Sequence, residues 1–425
     1  MVERFEHLRA ALGQVQGYIY PNEIELHWGL LVVLYPYLTG LVAGAFILAS
    51  LAKVFRVKEV EPVYRLALLT ALAFLLVAPL PLLAHLGHPE RSFEIFLTPH
   101  FKSAMAMFGF VYAWYLMVVL LLEIWFEYRA DLVRWSQKEH GLRRIIHWIL
   151  SLGSRSLAPE ALAFDKKAVY AITLIGIPSA FFLHGYVGFI FGSVKANPWW
   201  SSVLMPIVFL FSAIVSGIAM VLLLYYLTTL VRRRELDMKC LNKLASFLLY
   251  ALIVDLSLET LDFIHRLYES EESIKILATL IFSKLFVSLT IVQLLIGTIG
   301  PMLLLAAGRF SSLPSELKRV LYFIAALLVQ VGIFSTRWNV VIGGQLFSKS
   351  LRGLTTFKME LGGIEGLFTA LALLVLPFVI LFVLLKILPP WPEARGVPEP
   401  PAPSGAPGGG VEVGASTADQ AALGA

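Results

Sequence analysis

The sequence predicts an all-α, polytopic helical membrane protein of about nine transmembrane helices. Three observations predict it. Apolar runs of roughly 20 residues recur between residues 27 and 388, the length a helix needs to cross hydrocarbon. Hydrophobic residues make up 58% of the 425 positions and charged ones only 15%, with a mean hydropathy of +0.78. Polar residues are gathered into short stretches at the ends of the runs rather than spread along them. The net charge of +5 implies no nucleic acid, because the basic residues sit in the loops between apolar runs.

Each element follows from its own stretch. Residues 1–26 hold neither an apolar core nor a small-residue cleavage site, and are expected to be an N-terminal outer segment rather than a removable signal peptide. Spans are expected over 27–52, 65–86, 103–126, 168–190, 201–228, 243–265, 276–305, 319–337 and 363–388. Prolines fall near their ends (Pro79, Pro81, Pro301) or where a kink is tolerated (Pro178, Pro206, Pro377). The connection 129–167 mixes Arg143 and Arg144 with Ile145, Ile146, Trp148, Ile149 and Leu150, which predicts an amphipathic helix at the interface rather than a tenth span. Residues 389–425 are Pro-, Gly- and Ala-rich and are expected to be a disordered tail. The transmembrane domain is therefore 27–388, and eight of its spans suit two four-helix bundles with one helix left over.

Orientation follows from the basic residues. Twenty-two of the 34 lysines and arginines fall in the C-terminus and the connections after the odd-numbered spans; eleven fall on the other side, and Lys284 lies inside the seventh span. The N-terminus is expected outside and the C-terminus in the cytoplasm of a cell-membrane protein. Four motif-like stretches then share the outer face: 85–102, 183–200, 258–266 and 337–345. Ionisable groups are expensive at membrane depth, so their gathering there marks a site.

Five histidines (His27, His85, His88, His184 and His265) map to that side. They can cap helices and bond headgroups, ligate haem, or hydrogen-bond a quinone carbonyl and exchange a proton. No span offers two histidines about four turns apart, as a two-haem stack requires; one haem between His85 and His184 stays open. The sixth span carries Asp255, Glu259 and Asp262, spaced by four and three and so on one helical face. Fully ionised they would repel. Either they are structural, bonding Lys284, Arg337 or a partner helix, or they move protons between the outer face and the membrane interior. Gln293 is a further neighbour. Cys240 is the single cysteine, too few thiols for an iron–sulfur cluster. No metal-ligand spacing, Walker motif or GxGxxG stands out.

The motif stretches resemble the NrfD family, integral-membrane subunits of polysulfide, tetrathionate and nitrite reductase complexes. Its long members, such as the membrane subunit of periplasmic nickel–iron hydrogenases, are the most similar. Gly87, Pro89, Glu90 and Arg91 match the G-x-P-E/D-R element that ends the family's second span. His184, Gly185, Pro198 and Trp200 follow its fourth-span pattern; Asp262 with His265 and Arg266, and Arg337 with Asn339, resemble elements of the long members. The resemblance covers about residues 25–390. It implies a quinone or menaquinone bound near the outer face, no haem or cluster in this chain, and a docked ferredoxin-like iron–sulfur subunit. A catalytic subunit of the molybdopterin or hydrogenase type would complete the complex. It also places Asn22, Glu25 and His27 near the quinone.

The expected function is thus quinone- or quinol-linked electron exchange by a membrane subunit of a respiratory iron–sulfur oxidoreductase complex. His27, His85 and His184 are expected to bond the headgroup and Glu90 and Arg91 to shape the site, while Asp255, Glu259 and Asp262 move protons. Asn22, Glu25, Lys284, Arg337 and Asn339 are further candidates. The competing readings are a secondary transporter or ion-conducting protein using the same carboxylates, and a single-haem b-type cytochrome anchor. Transporters often show paired broken helices and inverted repeats, and the sequence shows neither.

Overall fold

The computed structural model describes residues 13, 15–24, 26–100, 102–269 and 273–391. Among them, nine helices are long and apolar enough to cross a membrane, matching the expected spans in number and order. In chain order the helices are α1 (Leu30–Lys53), α2 (Lys58–His85), α3 (Met107–Lys138), the short α4 (Gly141–Leu150), α5 (Pro159–Gly192), α6 (Met205–Val231) and α7 (Met238–Tyr268). They continue as the short α8 (Ile274–Phe282), α9 (Phe286–Phe310), α10 (Ser315–Gln345) and α11 (Leu367–Ile387). Apart from residues 389–391, the expected tail lies outside the described residues, as does Glu25.

One expectation is corrected. The stretch 276–305 is not a single helix: it breaks at 283–285, and a π-helical segment, Phe286–Ile299, begins α9. Lys284 therefore lies in the turn between α8 and α9, not inside a span. The break holds Ser283 and Lys284, a polar pair inside an otherwise apolar run that averaged hydropathy does not register. An apolar run says how far a chain is buried in lipid but not whether its backbone stays helical.

Packing groups the spans as two bundles, α1, α2, α3 and α5 in one and α6, α7, α9 and α10 in the other, with α11 against α2. The bundles join chiefly along α1 and α6. Without a hydrophobic drive between helices in lipid, association needs close backbone approach, and small residues allow it. Gly40 and Gly44 form a G-x-x-x-G on α1 facing Ala213 and Gly217 of α6; a Cβ on Gly44 would lie 1.9 Å from the Ala213 carbonyl oxygen. Gly297 of α9 and Gly332 of α10 make the equivalent contact inside the second bundle, where a Cβ on Gly297 would be 2.2 Å from Gly332 Cα.

The two ends differ chemically. At the basic end, Arg65 bonds Glu127 (2.8 Å) and Asp131 (2.9 Å), Lys53 pairs with Glu127 (3.2 Å), and buried Arg129 pairs with Asp165 (2.6 Å). The opposite end holds the four motif stretches and is tied by long-range bonds. Trp28 N–H donates to the Gln345 side chain (3.1 Å), and Trp28 stacks on Trp200 at 5.2 Å. Trp199 and Trp200 donate to the Asn339 and Val340 carbonyls (2.9 and 2.6 Å). A two-stranded antiparallel ribbon of β1 (Gln16–Tyr18) and β2 (Arg352–Leu354) fastens the N-terminal segment to the loop after α10.

Candidate functional site

The acidic row of α7 leads from the motif end towards mid-membrane. Asp262, outermost, accepts from Arg266 (2.9 Å) and from the Ser202 hydroxyl; Arg266 also donates to the Pro198 carbonyl. One turn deeper, both oxygens of Glu259 accept from the Gln293 amide of α9 at 3.2 Å. Gln293 accepts in turn from Asn339 of α10 (2.8 Å), and Asn339 accepts from Ser288 (2.6 Å). Asp255, a further turn in, is buried, and its Oδ1 has no partner among the described residues.

A cavity of about 450 Å³ lies against this row, between α6, α7, α8, α9 and α10. Its walls are apolar, including Val208, Phe209, Phe263, Leu277, Ile281 and Leu289; Glu259, Gln293 and Asn339 form its polar floor, and Asp262, Arg266 and Trp199 stand at its outer side. A concave, largely apolar space with a few convergent polar groups is the usual form of a small-molecule site. Phe263, Leu267 and Phe282 line the cavity and are also exposed on the protein's exterior, so the space borders the lipid-facing surface.

Behind Phe209 sits a second, fully buried cluster. His184 of α5 meets Thr39 Oγ1 through Nδ1 (3.3 Å) and Arg337 Nη2 through Nε2 (3.2 Å). Arg337 Nη2 also donates to Ser212 (2.5 Å), and the guanidinium lies 4.2 Å over the Phe209 ring, which stacks on His184 at 5.7 Å. Gly40 lets the imidazole rest on α1: a Cβ there would be 3.2 Å from His184 Cε1. Arg337 Nε and Nη1 are buried without partners, and no ion pair with Asp255 is formed among the described residues.

The structure thus brings Asp255, Glu259, Asp262, His184, Arg337 and Asn339 into one region at the bundle interface. It does not bring Asn22, His27, His85, Glu90 or Arg91 there. Asn22 and His27 are exposed before α1. His85, ending α2, meets Glu365 at 3.0 Å; Glu90 pairs with His88 (3.0 Å) and Arg91 with Glu94 (3.0 Å), all four exposed. His184 lies about 12 Å below the end of α5 by helical rise, and both its ring nitrogens are engaged, which does not suit a haem shared with His85 at the end of α2. Thr39, Ser202, Ser212 and Ser288 escaped sequence reasoning, since hydroxyls are ordinary in apolar helices. Glu365 escaped it as an exposed loop residue.

The fold and site define a polytopic helical membrane protein with a charged network beside a lipid-bordering cavity. The family model described as "Polysulphide reductase, NrfD" matches residues 21–349, and the chain belongs to the NrfD family. A selenate reductase subunit of Mesobacillus selenatarsenatis is 32% identical over 324 residues, 74% of this chain and 73% of the relative. A putative dimethyl sulfoxide reductase membrane subunit of Halobacterium salinarum is 30% identical over 202 residues, 46% of this chain and 42% of its own. The Hdr-like menaquinol oxidoreductase integral membrane subunit of Archaeoglobus fulgidus is 24% identical over 347 residues, 80% and 76% of the two chains.

Proposed function

We propose that the chain is the quinol-interacting membrane subunit of an oxidoreductase complex and that the quinone ring occupies the cavity between α6, α7, α8, α9 and α10. The observation that carries this reading is the apolar cavity floored by Glu259, Gln293 and Asn339. An uncharged ring with a lipid-soluble tail needs apolar walls, a border with the bilayer and polar groups at the far end, and the cavity supplies each. Glu259 is placed to accept a quinol hydroxyl hydrogen and then its proton, the general-base role. Asp262 continues the row outward to Arg266, while Asp255 extends it inward. Electrons leave for an iron–sulfur partner; protons leave along the row.

The names of the relatives, reductase membrane subunits and a menaquinol oxidoreductase subunit, support this assignment. Menaquinone suits the site, and a molybdopterin or hydrogenase-type catalytic subunit with a ferredoxin-like iron–sulfur subunit suits the family. The excess of basic residues at one end supports an outward N-terminus and a cytoplasmic C-terminus. In this reading the exposed Asn22, His27, Glu90 and Arg91, with His85 and Glu365, form the outer surface where the iron–sulfur partner docks rather than the headgroup pocket. His184 and Arg337 form the charged wall behind Phe209.

The test is quinol-linked turnover of the assembled complex. Glu259→Gln is expected to lower turnover by about 10²-fold with assembly intact, the scale of a lost general base. Full activity in Glu259→Gln, with loss in His27→Ala and His85→Ala, would move the headgroup to the outer end of the first bundle.

A further inference from the structure

The first bundle contains a second line of polar groups, separate from those assigned to the quinone. It begins at the basic end of α3, where Asp131, Glu127 and Glu123 recur every four residues on one face, each step rising about 6 Å. Asp131 and Glu127 have cations: Arg65 and Arg134 for the first, Lys53 and Arg65 for the second. Glu123 has none among the described residues. It is fully buried; its Oε1 accepts from Tyr64 (2.9 Å) and Thr173 (2.8 Å), and its Oε2 has no partner.

The line continues towards the motif end. Two turns along α3 stands Tyr115, completely buried with its hydroxyl unpartnered, its ring edge-on to Phe46 at 5.6 Å. Nearer the motif end are Tyr35 of α1 and Tyr186 of α5, on either side of Phe108 (5.3 and 6.5 Å between centroids). Both hydroxyls are buried without a partner. Other buried tyrosines among the described residues have a protein partner. Tyr37 donates to Gln330 (2.8 Å), Tyr64 to Glu123 and Tyr322 to Asn242 (3.0 Å). Four orphaned polar atoms within one bundle therefore need a common account. A buried polar group left unbonded costs about 1–3 kcal/mol, and internal water is the usual partner where protein supplies none.

We propose that the first bundle holds a file of internal waters joining Glu123 to Tyr115, Tyr35 and Tyr186, and that Glu123 loads this file with protons from the basic end. The proton enters beside Glu127 and Lys53 and binds Glu123 at its open oxygen. It passes to the next water as another arrives, so one proton leaves for each that enters and no electrons move. This line is separate from the acidic row of α7: it lies in the other bundle and starts from the other end.

The first test does not involve quinone, so its failure is distinct from failure of the cavity assignment. Hydroxyl radicals generated from water by brief radiolysis label side chains next to internal waters. With the full-length protein in nanodiscs, Tyr35 and Tyr115 should be oxidised about tenfold faster than Tyr322, although all three are buried, because only the first two lack a protein partner. Equal protection of Tyr35, Tyr115 and Tyr322 would overturn the water file. The second test addresses the proton role. Glu123→Gln keeps an acceptor for Tyr64 and Thr173, so the fold and the labelling of Tyr115 should persist. Proton uptake from the basic-end compartment by the assembled complex in liposomes should fall about tenfold. Wild-type uptake in that variant would overturn the relay, and loss of uptake in a control Thr173→Val variant that keeps Glu123 would assign the effect to packing instead.

Discussion

Arg337 shows how much of this molecule's chemistry is decided at single side chains. It is among the largest fully buried residues, yet only one of its three nitrogens is bonded, to His184 and Ser212. Removing it leaves the buried His184 and Ser212 without that partner, at a typical cost of about 1–3 kcal/mol for each polar group left unsatisfied. Arg337→Ala is therefore expected to lower the thermal unfolding temperature of the purified protein markedly; an unchanged unfolding curve would mean the cluster is not structural. Asp255→Asn should behave oppositely. The amide replaces a carboxyl's hydrogen bonds, so the unfolding temperature should hold while quinol-linked turnover or proton movement falls. Wild-type values of both in Asp255→Asn and Glu259→Gln would reduce the row to a structural network. The ionisable members of this region were legible in the sequence because charge inside an apolar run is conspicuous. Thr39 was not: its hydroxyl also bonds the Tyr35 carbonyl of its own helix (3.0 Å), as hydroxyls in any helix do. His27 and His85 show the converse. Their position along the chain gives depth, but not whether the side chain turns into the bundle.

At the scale of elements, the α1–α6 contact and the break before α9 matter most. Gly44→Leu would drive a side chain into the Ala213 backbone, and overpacking without such a clash already costs about 1–3 kcal/mol. The expected outcome is loss of folded, monodisperse protein in detergent, with Gly87→Leu as a harmless comparison because nothing lies within 4 Å of a Cβ there. Normal yield and unfolding temperature in Gly44→Leu would show that the two bundles are not held at this seam. The number, order and approximate limits of the spans could be read from apolar runs alone. The break at 283–285 could not, and with it went the cavity, because the separate course of α8 supplies one of its walls. The short α4 exposes Leu142, Ile145, Trp148 and Ile149, a face that suits the lipid interface. Brominated lipids should quench a tryptophan signal that Trp148→Phe removes; an unquenched Trp148 would place α4 in water.

For the whole molecule, one end is basic and the other carries the motif stretches, and the proposed function depends on which faces out. Cys240 is buried, so single-cysteine labelling can be read against a quiet background. Ser92→Cys should react with an impermeant maleimide in intact cells and Glu235→Cys only after permeabilisation. The reverse pattern would invert the topology and place the cavity's polar rim on the cytoplasmic side. The grouping into two bundles with a ninth helix at the side was inferable from the span count. Their relation was not, since it rests on glycines that look alike in every apolar run. The positions of the two acidic lines, one in each bundle and entering from opposite ends, likewise emerge only once the helices are assembled.

The central claim is that the quinone ring sits in the cavity of the second bundle. Photolabelling with an azido-quinone, followed by peptide mapping of the intact complex, tests it most directly. Labels are expected on the cavity walls, at Phe263 of α7 and Leu289 or Thr290 of α9, and should disappear when excess menaquinone competes. Competable labels confined to the outer end of the first bundle, around His27 and His85, with none on α7 or α9, would contradict it.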